Sequence, residues 1–220
     1  MATQTQLIET SRGPARATAH LPADEPGPFL VVALHGAGTD TARTPLPELC
    51  DALAERGIVA VRFDQPYRVA GRKAPDPAHL VDRALVEAAP QLKAFAPEGA
   101  ALGLVGRSSG ARVACRTAAE LGAVAVACLG FPYQPPARKG GPLPADRGPE
   151  LALAARRCPV LVVQGSRDQF GMPPEIAGVR LIVEPAAGHT PTLAMAEHAA
   201  GWLSGVAREH KVGRAAFQQP

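Results

Sequence analysis

Three residues far apart in the chain carry the chemistry that this sequence suggests. Ser108 lies in Gly106-Arg-Ser-Ser-Gly110, a G-x-S-x-G that ends an apolar run (101–105) and opens a helix-like segment. Strand, sharp turn and helix, with a serine at the turn, describe a nucleophile elbow. The strand and helix come so close that Cβ atoms at Gly106 and Gly110 would collide. A serine hydroxyl is a poor nucleophile at neutral pH, so it needs a base, and the base needs an orienting acid. Asp168 follows one later apolar run and His189 follows the next. Glu184 is a rival acid, but only a short loop separates it from His189. The other histidines fit worse: His20 and His210 lie near the termini, His79 and His198 on helical segments, and His35 reads as a brace for its own loop. Acyl transfer also needs donors for a developing oxyanion. The Ser109 N–H starts a helix, where it has no intrahelical acceptor. The second donor is assigned to the Ala37 N–H in His35-Gly-Ala-Gly38, where glycines let the backbone turn inward.

The elements that must position these groups can be read from hydrophobic periodicity. Residues 4–10 and 15–21 read as two strands joined at a turn, and 29–34, 58–63, 101–105, 124–129, 159–163 and 179–183 as further strands. Several are continuous apolar runs, as expected for strands buried on both faces. Helices are expected at 45–56, from Pro77 onward with a break or kink at Pro90, after the elbow, at 151–157, and from a cap at Thr192 to about His210. The last is expected to bury Leu193, Ala196, Ala200, Leu203 and Ala207. Residues 68–73 read as a basic loop, 130–149 as a long proline-rich loop, and 173–177 as at most one helical turn. Strands alternating with helices imply an α/β fold, a mostly parallel, doubly wound sheet of about eight strands. Functional loops gather at the carboxyl ends of such strands. His35-Gly36, Asp64, Ser108, Asp168 and His189 all fall there. Residues 1–210 read as a single domain and 211–220 as a C-terminal tail.

Bulk properties narrow the function classes. The chain has 220 residues, 46% hydrophobic and 20% charged, enough for one domain with a sizeable core. A net charge of +3 with scattered arginines gives no support to nucleic-acid binding. No apolar run reaches a membrane span, and the N-terminus lacks a basic and an apolar signal region, so a cytoplasmic protein is expected. Cys50, Cys115, Cys128 and Cys158 are far apart in apolar stretches and read as reduced core thiols. The histidines lack metal-ligand spacing, and there is neither a G-K-[ST] nor a G-x-G-x-x-G, so no metal and no cofactor are expected.

The order serine, acid, histidine is that of α/β-hydrolases, and the chain resembles that superfamily over nearly its whole length. More narrowly it resembles a small cap-less bacterial hydrolase family, which shares its domain with a testis-expressed protein and a histone-acetyltransferase-complex subunit. It is more distantly similar to dienelactone hydrolases. The similar segments are Leu34-His-Gly-Ala-Gly38, Val61-Arg-Phe-Asp-Gln-Pro-Tyr67, Gly106-Arg-Ser-Ser-Gly-Ala-Arg-Val113, Cys128-Leu-Gly-Phe-Pro-Tyr-Gln-Pro-Pro136, Val163-Gln-Gly-Ser-Arg-Asp-Gln-Phe-Gly171 and Gly188-His189. Ser109-Gly-Ala stands where Met-Gly-Gly is common, a change that a backbone donor tolerates. The resemblance implies the fold and the triad Ser108, Asp168 and His189, but no substrate.

No stretch is long enough for a cap domain, so an open site is expected, with pocket walls from Tyr67, Phe131, Tyr133 and Phe170. Arg68, Arg72, Lys73, Arg138 and Lys139 could draw an anionic acyl group, although a solvated basic surface accounts for them as well. The expected activity is hydrolysis of carboxylic ester or thioester bonds of a small-molecule acyl substrate, by a monomer or homodimer. The alternative is a hydrolase-fold interaction module that works by binding.

Overall fold

The structure is a computed structural model that describes residues 2–137 and 141–216, the last four by their backbone only. An eight-stranded sheet has the order β1-β2-β4-β3-β5-β6-β7-β8. β1 (Ala2–Thr10) and β2 (Gly13–Leu21) form an antiparallel hairpin whose second strand lies antiparallel to β4 (Val59–Asp64). From β4 onward, through β3 (Phe29–Leu34), β5 (Ala101–Arg107), β6 (Ala125–Leu129), β7 (Val160–Gly165) and β8 (Val179–Glu184), every pair is parallel. Among the described residues no further domain is inserted over the strand ends.

Alternation along each strand divides the core in two. Leu30, Val32 and Leu34 of β3 face α3 (Ala78–Lys93), α4 (Ser109–Leu121) and α5 (Gly148–Ala155). Phe29, Val31 and Ala33 face α1 (Leu46–Glu55) and α6 (Leu193–Ala216). Both faces are covered, which is why β3 reads as unbroken hydrophobic sequence. The most deeply buried residues of α4 are small, with Ala111, Ala114, Cys115 and Ala118 at 0–1% exposure. That lets the helix lie against β5.

Several elements depart from the sequence reading. Pro90 does not break α3, which runs on to Lys93. The proline sits in the last turns on the exposed side, while Ala88, Ala89 and Leu92 anchor that end in the core, so only one helical hydrogen bond is lost. The expected basic loop contains a one-turn helix, α2 (Pro66–Val69). At 173–177, where at most one helical turn is expected, no helix forms, in keeping with that reading, and β7 passes to β8 through irregular chain. Thr192 does cap α6, its Oγ1 accepting from the Met195 N–H at 3.2 Å, but the helix continues to Ala216 rather than stopping near His210. The part of the expected tail at 217–220 lies outside the described residues. Leu193 is exposed, and Met195 and Ala199 take buried places instead. As the first helical residue, Leu193 precedes the turn that meets the sheet. All four cysteines are buried and free, and Cys115 and Cys128 meet with sulfurs 3.7 Å apart, which their sequence separation hides. No helix among the described residues is long and apolar enough to cross a membrane.

Candidate active site

Ser108 ends β5 and begins α4 with φ 50° and ψ −114°, a conformation that L-residues rarely adopt. The surrounding packing enforces it. A Cβ on Gly106 would lie 2.2 Å from the Gly110 carbonyl carbon, and one on Gly110 would lie 2.5 Å from the Leu34 oxygen. The Ser108 N–H donates to Leu129 O at 3.1 Å, which ties the turn to β6. The hydroxyl therefore stands at the carboxyl edge of the sheet, on a backbone held from both sides.

The loops after β7 and β8 bring the other two residues to it. The Arg167 N–H donates to Ala187 O at 2.9 Å, and the Ala186 N–H to Ser166 Oγ at 2.9 Å, so the loops are stitched together. Gly165 makes this possible, because a Cβ there would meet the Ala187 and Gly188 oxygens at 2.4 Å. His189 Nε2 lies 2.8 Å from Ser108 Oγ, and His189 Nδ1 lies 2.9 Å and 3.1 Å from the two oxygens of Asp168. The Asp168 side chain is 1% exposed and that of His189 is 18% exposed. Asp168 takes two more donors, the Phe170 N–H at 2.9 Å and Gln164 Nε2 at 2.8 Å. With three donors converging on it, His189 Nδ1, the Phe170 N–H and Gln164 Nε2, the buried carboxylate is fixed in orientation. The imidazole is then held with Nδ1–H toward Asp168 and the Nε2 lone pair toward Ser108, the tautomer a base requires.

Glu184 does not reach His189. Its carboxylate turns to α6, 3.8 Å from His198 Nε2. His35 is buried, and both its nitrogens face the backbone. Nδ1–H donates to Gly36 O at 2.9 Å and Nε2 accepts from the Gln65 N–H at 3.1 Å. Burial holds its pKa below the ordinary 6.5, so it braces the loop after β3 as a neutral ring. That loop runs beside Ser108, and a Cβ on Gly36 would come within 3.4 Å of Ser108 Cβ. Neither the Ala37 N–H nor the Ser109 N–H has an acceptor among the described residues. Both amides are available to an external oxygen.

The four aromatic residues expected as pocket walls do different things. Phe131 is fully buried in the core and lines no cleft. Its strand-end position resembles that of a loop aromatic, but the chain after β6 turns inward there. Phe170 tilts over His189, ring centroids 4.3 Å apart. Tyr133 packs at the edge of the core. Tyr67 is 2% exposed, lies edge-on to His35 at 5.7 Å, and lines a cavity beside the elbow. Of the basic residues, Arg68 pairs with Asp40 at 3.7 Å and Arg72 with Asp76 at 2.7 Å, which offsets their charge. Arg138 and Lys139 lie outside the described residues.

Gln164 is the site residue that motif reading passed over. It is fully buried, and its Nε2 reaches Phe131 O, Gly171 O and Asp168 together. The available signal was a polar side chain in an otherwise apolar strand, four residues ahead of the acid. Gly130 was passed over too. It has φ 61°, and a Cβ there would press on His189 O at 2.9 Å.

A family model described as "Alpha/beta hydrolase domain" matches residues 28–212. Comparison with the curated proteins gives no match. Among solved structures, a serine hydrolase without lid from Xanthomonas campestris is similar at 23% identity over 94% of each chain, with a TM-score of 0.67. An esterase domain from Rhodothermus marinus is similar at 20% identity, over 95% of this chain and 99% of that one, with a TM-score of 0.65. A dienelactone hydrolase from Anabaena variabilis is similar at 19% identity, over 91% of this chain and 96% of that one, with a TM-score of 0.63. At these identities the likeness is one of fold.

Proposed function

The chain belongs to the alpha/beta hydrolase family, and from that premise we propose that it is a serine hydrolase of carboxylic esters or thioesters working through an acyl-enzyme. The observation that carries this reading is the continuous chain of short contacts from Asp168 through His189 to Ser108 Oγ, 2.9 Å and then 2.8 Å. The esterase domain and the serine hydrolase among the similar folds support it.

In the first half-reaction Ser108 Oγ attacks the acyl carbon and its proton moves to His189 Nε2. The carbonyl oxygen gains the negative charge, facing the Ala37 and Ser109 amides. The bond from the acyl carbon to the leaving oxygen or sulfur then breaks, and the imidazolium returns its proton to that atom. In the second half-reaction His189 takes a proton from water, the hydroxide oxygen attacks the acyl carbon, and Ser108 leaves with the proton restored. Asp168 stabilises the imidazolium without itself taking a proton.

The test is labelling with a fluorophosphonate probe, which reacts only with an activated serine. Wild-type protein is expected to label stoichiometrically, and Ser108→Ala to lose the label while keeping its melting temperature. Folded wild-type protein that does not label overturns the reading.

A further inference from the structure

On the α4 flank of the elbow lies a cavity of about 140 Å³. His35, Gln65, Tyr67, Ser109, Gly110 and Val113 line it. Its wall thus includes Ser109, the residue that follows Ser108 and carries an amide assigned to the oxyanion, which puts the cavity beside the position of an acyl group on Ser108.

The charges at its rim are already neutralised within the protein. Arg112 holds Glu150 through two contacts of 2.9 Å and 2.6 Å. Arg116 holds Asp82 through two of 2.7 Å, and Asp76 is held by Arg72 at 2.7 Å and 3.0 Å. An ionic ligand would have to break one of these pairs, so the lining favours a neutral one.

Two polar groups on the wall are unspent. Gln65, 4% exposed, is anchored by its Nε2 donating to Val81 O at 3.2 Å, which leaves its Oε1 buried with no donor. The Tyr67 hydroxyl has no hydrogen-bond partner among the described residues, although the residue is 2% exposed. A buried acceptor without a donor is a penalty that a bound donor removes. Oε1 can only accept, whereas the tyrosine hydroxyl can both donate and accept. A ligand hydroxyl satisfies both, giving its proton to Gln65 and accepting from Tyr67. An amide N–H or an ether oxygen satisfies only one of the two roles.

We infer that this cavity is the acyl subsite and that it selects short, uncharged acyl groups bearing a hydroxyl. The inference rests on the serine-hydrolase reading above and gives that site its substrate class: esters or thioesters of small hydroxy acids.

The test compares p-nitrophenyl 3-hydroxybutyrate with p-nitrophenyl 3-methylbutyrate, in which a methyl replaces the hydroxyl. Wild-type protein that labels with fluorophosphonate is expected to prefer the hydroxy ester in kcat/KM by about tenfold or more. Gln65→Leu and Tyr67→Phe are each expected to lower that ratio toward one. Because the ratio is internal to each variant, partial loss of folded protein leaves it unchanged, and Tyr67→Phe removes a single oxygen. A labelled wild-type enzyme that favours the methyl ester, hydrolyses both equally, or hydrolyses neither overturns the inference. So does a preference that survives both substitutions. Failure to label at all strikes the serine-hydrolase reading instead.

Discussion

His35 and His189 stand at strand ends on opposite flanks of Ser108, each on a glycine-containing loop, and each has both ring nitrogens engaged. Their partners decide what they can do. His35 is closed between two backbone groups, a carbonyl that only accepts and an amide that only donates, so no proton can pass through the ring. His189 joins a carboxylate to a hydroxyl, and the hydroxyl can release a proton. The flanks differ in the same way. On the His189 side the Asp168 oxygens are saturated with donors. On the His35 side the Ala37 and Ser109 amides and the Gln65 Oε1 have no partner among the described residues. One flank is satisfied within the protein, and the other holds groups that a ligand can satisfy. Under the proposed mechanism that division is what preorganised catalysis requires, with the base held in place and donors free for developing charge.

Removing each histidine tests the contrast. His189→Ala is expected to lower kcat on a p-nitrophenyl ester by about 10⁴- to 10⁶-fold. Its thermal melting midpoint should stay close to that of wild type. A smaller loss, or rescue by His35, would erase the distinction between the two rings. His35→Ala is expected to show the reverse balance. It strands the buried Gln65 N–H, at a cost of about 1–3 kcal/mol read by denaturant unfolding. Activity should fall less, by up to about 10²-fold, through displacement of the Ala37 amide.

The smallest effect is one of pH. Burial is the main cause that lowers the pKa of His35, and also that of His20, despite the opposing contact of His20 with Asp51. The unfolded chain takes up protons at these rings near pH 6.5, while the folded chain does so only at lower pH. Stability is therefore full above pH 6.5 and is lost as pH falls below it, by at most about 1.4 kcal/mol per pH unit for each ring. Unfolding curves between pH 7.5 and 5.5 are expected to show this slope, and His35→Gln to flatten it. An unchanged slope in that variant would mean that His35 is not held neutral.

Local rules carried much of this protein into view. The elbow glycines, the apolar strand runs and the chain order of Ser108, Asp168 and His189 each depend on residues close in sequence, where steric and periodic constraints act directly. Strand ends could be inferred as well, because a doubly wound sheet sends its functional loops to one edge. Errors arose wherever a distant surface decided the outcome. Pro90 stayed helical because its neighbours are buried, Leu193 was exposed because the helix reaches the sheet only after it, and Phe131 turned into the core rather than toward a substrate.

The sequence by itself therefore determined the architecture, which follows from backbone sterics and hydrophobic period, and the serine, acid and histidine in hydrolase order. Only the tertiary structure decided that Asp168 and not Glu184 meets His189, that Gln164 supports the carboxylate, and that Gln65 and Tyr67 share a cavity. Hydrogen bonds form between groups within about 3 Å. Residues tens of positions apart reach that separation only when the sheet order and the packing of its loops bring them together.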